Sequence, residues 1–448
     1  MTDKKLILIL YLFFVIGKLF AQEYWSLEQC IQYALENNIE IKQQRINTDI
    51  TQLEYHQSKY EAYPSLNAGI DYNFILGKSY IPENDQWENL NNRDASLGLS
   101  SSVYLFKGLT NYNKVNQSRF DLMNSQAGIE IIENEISILI ATAYLDILYN
   151  KELLEIAKRQ LELTKLQVER MEKRVEVGDG EKRELYSLIA QQALDTLKVT
   201  EVLKNIELSN LRLMQLLDMD TAENFSIRHP DLDNLVLGVP NTDSVYLIAL
   251  EQFPTIKKAS YQAKSAEYSL AIAKGERLPS LSLNFDYLYY NRTILNPMNQ
   301  TLINPAMYYL INGGENHFLN ARINLSVPIF NHNQITTKIG QAQLMCLSSE
   351  LMLDKSKQKL YKDIKQLCLE ITLASEKYTS AMEAVTATIE ALDYAQEMFN
   401  NGMISIVEFN EEKNKHYKAQ SDLLQAKYEY IIKLKILDFY SGNPITLE

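Results

Sequence analysis

Pro64-Ser65-Leu66-Asn67-Ala68-Gly69-Ile70-Asp71-Tyr72-Asn73-Phe74 is the stretch that decides the fold of this 448-residue chain. Leu66, Ala68, Ile70, Tyr72 and Phe74 alternate with Ser65, Asn67, Gly69, Asp71 and Asn73, the period of two that gives a strand one apolar and one polar face. The opening recurs 215 residues later as Pro279-Ser280-Leu281, where Leu281, Leu283, Phe285, Tyr287 and Tyr289 face away from Ser280, Ser282, Asn284 and Asp286. Two more segments alternate. Leu97, Leu99, Val103 and Leu105 do so in the first half, and Ala321, Ile323, Leu325, Val327 and Ile329 in the second. Strands are therefore expected at about 65–74, 95–105, 280–289 and 320–329. Roughly ten residues is the length that crosses an outer membrane at a tilt. Four strands cannot close a barrel around anything, and lipid tolerates no open sheet edge, so such a chain must oligomerise.

The strands belong to a duplication. Ala34-Leu35-Glu36 lines up with Ala249-Leu250-Glu251, and Ile41-Lys42 with Ile256-Lys257, at the same shift of 215. Beyond a variable stretch Phe106 pairs with Phe330, Gln117 with Gln341 and Gly178 with Gly402, all at a shift of 224. Each half reads helix, strand, loop, strand, very long helix, turn, helix. The first repeat covers 22–217 and the second 243–440. A connector, 218–242, carries His229-Pro230 and Val239-Pro240, and a tail, 441–448, follows. The opening helices are expected from about Ser26 to Ala62 and from about Asp243 to Arg277, with Pro64 and Pro279 stopping them. Loops rich in Asn, Pro, Gly and Tyr are expected over 75–94 and 291–319, in the manner of the longer extracellular loops of outer-membrane barrels.

From about Leu109 to Val177 the only interior glycine is Gly128, which allows one helix on the order of 100 Å long. Its distal half carries a heptad, Leu154, Ala157, Leu161, Thr164, Val168, Met171 and Val175. Tyr378, Ala381, Val385, Thr388, Leu392, Ala395 and Phe399 repeat it. Spacings of three and four are those of a coiled coil, and the helices after each turn, 181–217 and 405–440, must run back antiparallel.

The remaining composition bounds the function. Lys4, Lys5, an apolar run from Leu6 to Ile16 and Leu19-Phe20-Ala21 make a secretory signal peptide over 1–21. A net charge of −13 argues against nucleic acid as a partner. Cys30, Cys346 and Cys368 each sit on an apolar helical pattern and read as core thiols. His56, His229, His317, His332 and His416 have no metal-site spacing, and no phosphate loop or nucleophile motif is present. No cofactor and no enzymatic activity are expected. Helical hairpins continuous with a membrane barrel would carry a passive duct across the periplasm, and the alternative is a periplasmic coiled-coil adaptor or structural hairpin without a pore.

Two tandem copies of helix, Pro-Ser-Leu strand, strand, helix of about seventy residues and glycine turn resemble the TolC-like outer-membrane efflux and secretion channels over essentially the whole chain after residue 21. The resemblance implies a mixed α and β membrane protein. Its homotrimer would close a 12-stranded β-barrel in outer-membrane lipid, over a periplasmic α-barrel of coiled-coil-like helices. It also implies a periplasmic adaptor and an inner-membrane transporter as partners. The family's aperture motif, a glycine, three residues, a hydrophobic pair, an acid, two residues and an acid, is met by Gly402 to Glu411, with Glu408 and Glu411 in place of aspartates. Glu184, after the first turn at Gly178, stands where the family has its partner acid. Ile404 stands where it has a gating arginine, and Arg183 is the nearest substitute in sequence.

Overall fold

The computed structural model of the chain describes residues 24–81, 85–89, 92–219, 225–230, 241–294 and 316–447. The segment 1–21 lies outside them, as do most of the connector 218–242 and most of 291–319. In chain order the elements are β1 (Tyr24–Trp25), α1 (Leu27–Asn37), α2 (Ile39–Tyr60), β2 (Ser65–Ile75), β3 (Lys78–Ile81), β4 (Gln86–Asn89), β5 (Asn92–Lys107), α3 (Thr110–Glu176) and α4 (Lys182–Leu216). There follow β6 (Ser226–Ile227), α5 (Thr242–Gln252), α6 (Pro254–Gly275), β7 (Ser280–Ile294), β8 (Asn316–Ser326), α7 (Gln334–Asn400) and α8 (Ile406–Tyr440). A shift of 215 carries α1 and α2 onto α5 and α6 residue for residue, and a shift of 224 carries α3 and α4 onto α7 and α8. The difference between the two shifts is taken up between the first strand of each half and its long helix.

Each opening helix is broken in two, where the sequence pattern suggested one continuous helix. Asn38 ends α1 and caps α2, its Oδ1 accepting from the N–H groups of Glu40 at 2.9 Å and Ile41 at 3.3 Å. At the equivalent place in the second half Phe253 is extended (φ −71, ψ 127), and Pro254 begins α6. A proline disfavours helical backbone before it and suits the first helical position, so this break is written in the sequence. Pro64 and Pro279 immediately precede β2 and β7.

The chain divides into two compact units, 48–124 with 259–353, and 1–47 with 125–258 and 354–448. The first contains a four-stranded antiparallel sheet in the order β2-β5-β7-β8. Its register gathers the apolar sets of all four strands on one face. Ile70 lies opposite Leu97, Leu97 opposite Tyr289, and Tyr289 opposite His317. Nearer the helical ends of the strands, Ala68, Leu99, Tyr287 and Leu319 form a second such row. Asn67, Ser100, Asp286 and Asn320 line up on the other face. Ile70 is 80% exposed and Leu319 76%, so this apolar face is uncovered within one chain.

Three details depart from the expected strands. A bulge between Tyr104 and Phe106 leaves Leu105 as the extra residue, and Phe106, not Leu105, continues the apolar row opposite Leu281. The last strand lies at 316–326 where 320–329 was expected, because Pro328 has no N–H to give a ladder. The interval 75–94 holds a second hairpin, β3 with β4, in which Tyr80 and Trp87 pack at 5.6 Å between ring centroids.

β5 enters α3 through two residues of positive φ, Gly108 (56°) and Leu109 (59°), and His332 (53°) and Asn333 (61°) repeat that turn before α7. A Cβ on Gly108 would stand 2.1 Å from the carbonyl oxygen of Gly275, and one on Gly275 would stand 2.4 Å from that of Gly108. The backbone conformation alone penalises a side chain at Gly108 by roughly 1–2 kcal/mol, before any clash. Gly108→Ala should therefore lower the thermal transition of the detergent-solubilised protein by several degrees, read by circular dichroism. An unchanged transition would mean the junction relaxes freely.

The other unit is helical. Its main cluster joins Leu27, Cys30, Ile41, Ile140, Tyr144, Leu148, Leu213, Tyr428 and Ile431 with Ile445 and Leu447 of the tail. Tyr144 donates to the carbonyl of Arg228 at 2.6 Å, and β1 pairs in parallel with β6, so the start of the described chain is tied to the connector. The tail is held as well, the N–H of Leu447 donating to Glu28 Oε1 at 3.0 Å. All three cysteines are buried free thiols. Burial pushes that of Cys30 up to about 12, which removes the thiolate needed for reactivity.

Candidate functional site

The two glycine turns have the same backbone solution. Gly178 (φ 82°) and Gly402 (φ 70°) each follow a long helix in left-handed conformation, where a side chain would be strained. Asp179 N–H donates to Arg174 O at 2.8 Å and Met403 N–H to Met398 O at 2.8 Å, closing both helix ends. Arg174 also reaches Asp179, donating to its carbonyl at 3.0 Å and its carboxylate at 3.3 Å.

Ser405 caps α8 in a reciprocal box. Its hydroxyl accepts from Glu408 N–H at 3.3 Å, and Glu408 Oε2 accepts from Ser405 N–H at 2.8 Å. The bonds from the Ser405 backbone and side chain hold the Glu408 carboxyl below its ordinary value. Glu411 is exposed one turn further along, three residues on and so on the same side of the helix. Ile404 is half-buried and packs on a cluster of Val168, Met171, Leu188, Ala395, Ile406 and Phe409, which draws residues from all four helices of the two turns. Phe409 is 1% exposed and stacks on Phe399 at 5.2 Å and 21°. Glu184 is half-buried. Arg183 is exposed and has no ion pair within the chain among the described residues.

Two polar groups in the helical seam were missed by the sequence reading. Lys413 is 2% exposed and donates to Thr164 Oγ1 at 2.9 Å and to Gln167 Oε1 at 3.4 Å. The Thr164 hydroxyl in turn donates to Asp195, which also accepts from Gln191 at 2.8 Å. Burial lowers the Lys413 pKa, and the charge of Asp195 opposes that shift. His416 meets Thr388 Oγ1 through Nδ1 at 3.1 Å and Gln420 Nε2 through Nε2 at 2.9 Å. The amide nitrogen of Gln420, which faces the ring, can only donate, and the Thr388 hydroxyl donates to Ala384 O at 2.8 Å. The network thus assigns a neutral imidazole with its proton on Nδ1. Burial lowers its pKa, in agreement with that form. The heptad spacing in α8 hints at both, since Ile406, Phe409, Lys413 and His416 are spaced three, four and three.

The outer membrane efflux protein family matches residues 245–443. The TolC outer membrane protein of Vibrio cholerae is 23% identical over 297 residues, 66% of this chain and 65% of that protein. The TolC protein of Escherichia coli is 21% identical over 424 residues, 91% of this chain and 80% of that protein. Among solved structures, the Campylobacter jejuni CmeC outer membrane channel superposes with a TM-score of 0.78 at 17% identity, covering 94% of this chain and 87% of that one. Through its second repeat the chain matches the outer membrane efflux protein family, through its whole length it has the fold of the solved outer membrane channels, and it is similar to the TolC-like proteins of the outer membrane and the periplasm beneath it.

Proposed function

We propose that three copies of this chain close their four-stranded sheets into one barrel and form a passive exit duct. In this reading the long helices carry the passage through the periplasm, and a periplasmic adaptor and an inner-membrane transporter, of a tripartite efflux or type I secretion system, supply the energy. The observation that carries the reading is the sheet. Its apolar rows run in register across four strands, while β2 and β8 are its outermost strands with no neighbour beyond them among the described residues. Such a surface suits lipid, and such edges suit other copies of the same sheet.

The turns form the periplasmic aperture in this reading, with Glu408 and Glu411 contributing rings of negative charge near a three-fold axis. Detergent-purified protein should have the mass of a trimer and conduct ions in planar bilayers, blocked by multivalent cations added from the periplasmic side. Because Ser405 already occupies the Glu408 carboxylate, Glu411→Gln should weaken that block several-fold, and more than Glu408→Gln does. A monomeric barrel would end the duct model. Equal block in wild type and both variants would make the two acids a solvated helix face.

A further inference from the structure

We infer that the break between α5 and α6 is a binding site for a small cationic amphiphile, a molecule with one apolar ring system and one ammonium head. Its basis is a difference between the two repeats. In the first, the break at Asn38 is tied to the end of α4 by two hydrogen bonds. The Asn38 amide donates to Leu216 O at 3.2 Å, and the N–H of Ile39 donates to the Asp218 carboxylate at 2.8 Å. The shift of 215 carries Asn38 onto Phe253 and Ile39 onto Pro254, and the shift of 224 carries Asp218 onto Gly442. The amide, the N–H and the carboxylate are thus all missing from the second repeat. Pro254 has no N–H, so there is nothing there for a carboxylate to satisfy. Phe253 instead stacks on Tyr440, which corresponds to Leu216, at 5.0 Å and 23°.

This second break leaves a cavity of about 210 Å³ within the helical unit, bounded by α3, α7, the break itself and the end of α8. Phe253, Ile256, Leu360 and Tyr440 line it with Ile131 and Ile138. An apolar cavity of roughly 150 Å³ admits benzene, so this one has room for a larger ring system. The charged groups at its edge set the sign of the ligand. Glu135 and Lys359 are exposed and offset one another in charge, whereas Asp363 is half-buried. Asp363 has no ion pair among the described residues, and its charge adds to burial in raising the Tyr440 pKa. A carboxylate beside a stacked pair of rings attracts a positive head twice, by its charge and by the negative faces of the rings. The shift of 224 carries Leu139 onto Asp363, so the carboxylate, like the rings, belongs to the second repeat alone.

The inference stands apart from the duct reading, because a site inside the helical unit binds whether or not the chain conducts. The test uses the full chain purified in detergent, titrated calorimetrically against a detergent-only blank. Three ligands of one shape are compared, 1-naphthylmethylammonium, the neutral 1-naphthylmethanol and the anionic 1-naphthylacetate. The ammonium should bind saturably, once per chain, and raise the thermal transition as its concentration rises. The neutral ligand should bind several-fold more weakly, and the carboxylate not measurably.

Phe253→Asn, which installs the first repeat's residue, should weaken ammonium binding about tenfold. Asp363→Asn keeps the shape of the site and should bring the ammonium down to the affinity of the neutral ligand, whose own binding stays unchanged. If Phe253→Asn fails to fold, Asp363→Asn decides alone. Wild type that takes up no ammonium above the blank overturns the site, as would hold if a neighbouring copy covered the cavity. Equal binding of ammonium and carboxylate overturns it too, as does an Asp363→Asn variant that binds the ammonium like wild type. Absence of conductance in bilayers would remove the duct reading and leave this binding untouched, so the two failures are distinct.

Discussion

Leu97→Arg should abolish the assembled form of this protein in the outer membrane, cutting it at least tenfold, while Ser100→Lys should leave it near wild type. Leu97 lies within β5, opposite Ile70 on one side and Tyr289 on the other, on the apolar face of the sheet. Arginine at the midplane of a barrel's lipid face costs about 2–4 kcal/mol, and every copy in an oligomer would bear it. The loss compounds because β5 is an inner strand and transmits any distortion to both neighbours. Ser100 is three residues away but points to the opposite face, beside Asn67 and Asp286, where a lysine remains among polar groups. The measurement is the heat-modifiable band of outer-membrane fractions on semi-native gels. Loss with Ser100→Lys and retention with Leu97→Arg would reverse the assignment of the faces.

The contrast between those two positions was legible in the sequence because period two is a local signal that a barrel strand must obey along most of its length. It stopped being legible where backbone geometry overrode periodicity. Leu105 alternates correctly as text, yet the bulge hands its place to Phe106. The break at Pro254 could be read from proline chemistry. The one at Asn38 could not be separated from an ordinary helical asparagine without seeing its side-chain Oδ1 accept from the N–H groups of Glu40 and Ile41. The turns show the same division. Gly178 and Gly402 announce themselves by residue type, and Ser405 with Glu408 carries the spacing of a capping box. The buried lysine did not announce itself, since a Lys in a charged helix is ordinarily solvated. Its burial depends on α3 and α4 arriving beside α8, a long-range fact that heptad reading of α8 alone only hints at.

Phe409→Ala should open the tip without preventing assembly, raising resting conductance several-fold at an unchanged amount of trimer. Phe409 is almost fully buried, stacks on Phe399 of α7, and belongs to the cluster with Val168 and Met171 of α3 and Leu188 of α4. Truncating a buried phenylalanine costs about 3–5 kcal/mol, from lost apolar contact and from the cavity left behind. That cost falls on a cluster of six buried residues, whereas the main cluster around Tyr144 has 23 and does not include it. The loss is therefore local, borne where two hairpins meet beside their turns. Phe409→Leu keeps most of the volume and should give an intermediate leak, so that conductance follows the apolar volume at this position. Glu411→Gln provides the contrast, since removing a surface charge should alter cation block while leaving the resting pore unchanged. Bilayer recordings of the three variants separate the contribution of packing at this cluster from that of the surface charge. If Phe409→Ala removed the trimer and produced no leak in any assembled remainder, the cluster would be part of the fold's foundation and not a restraint on the pore.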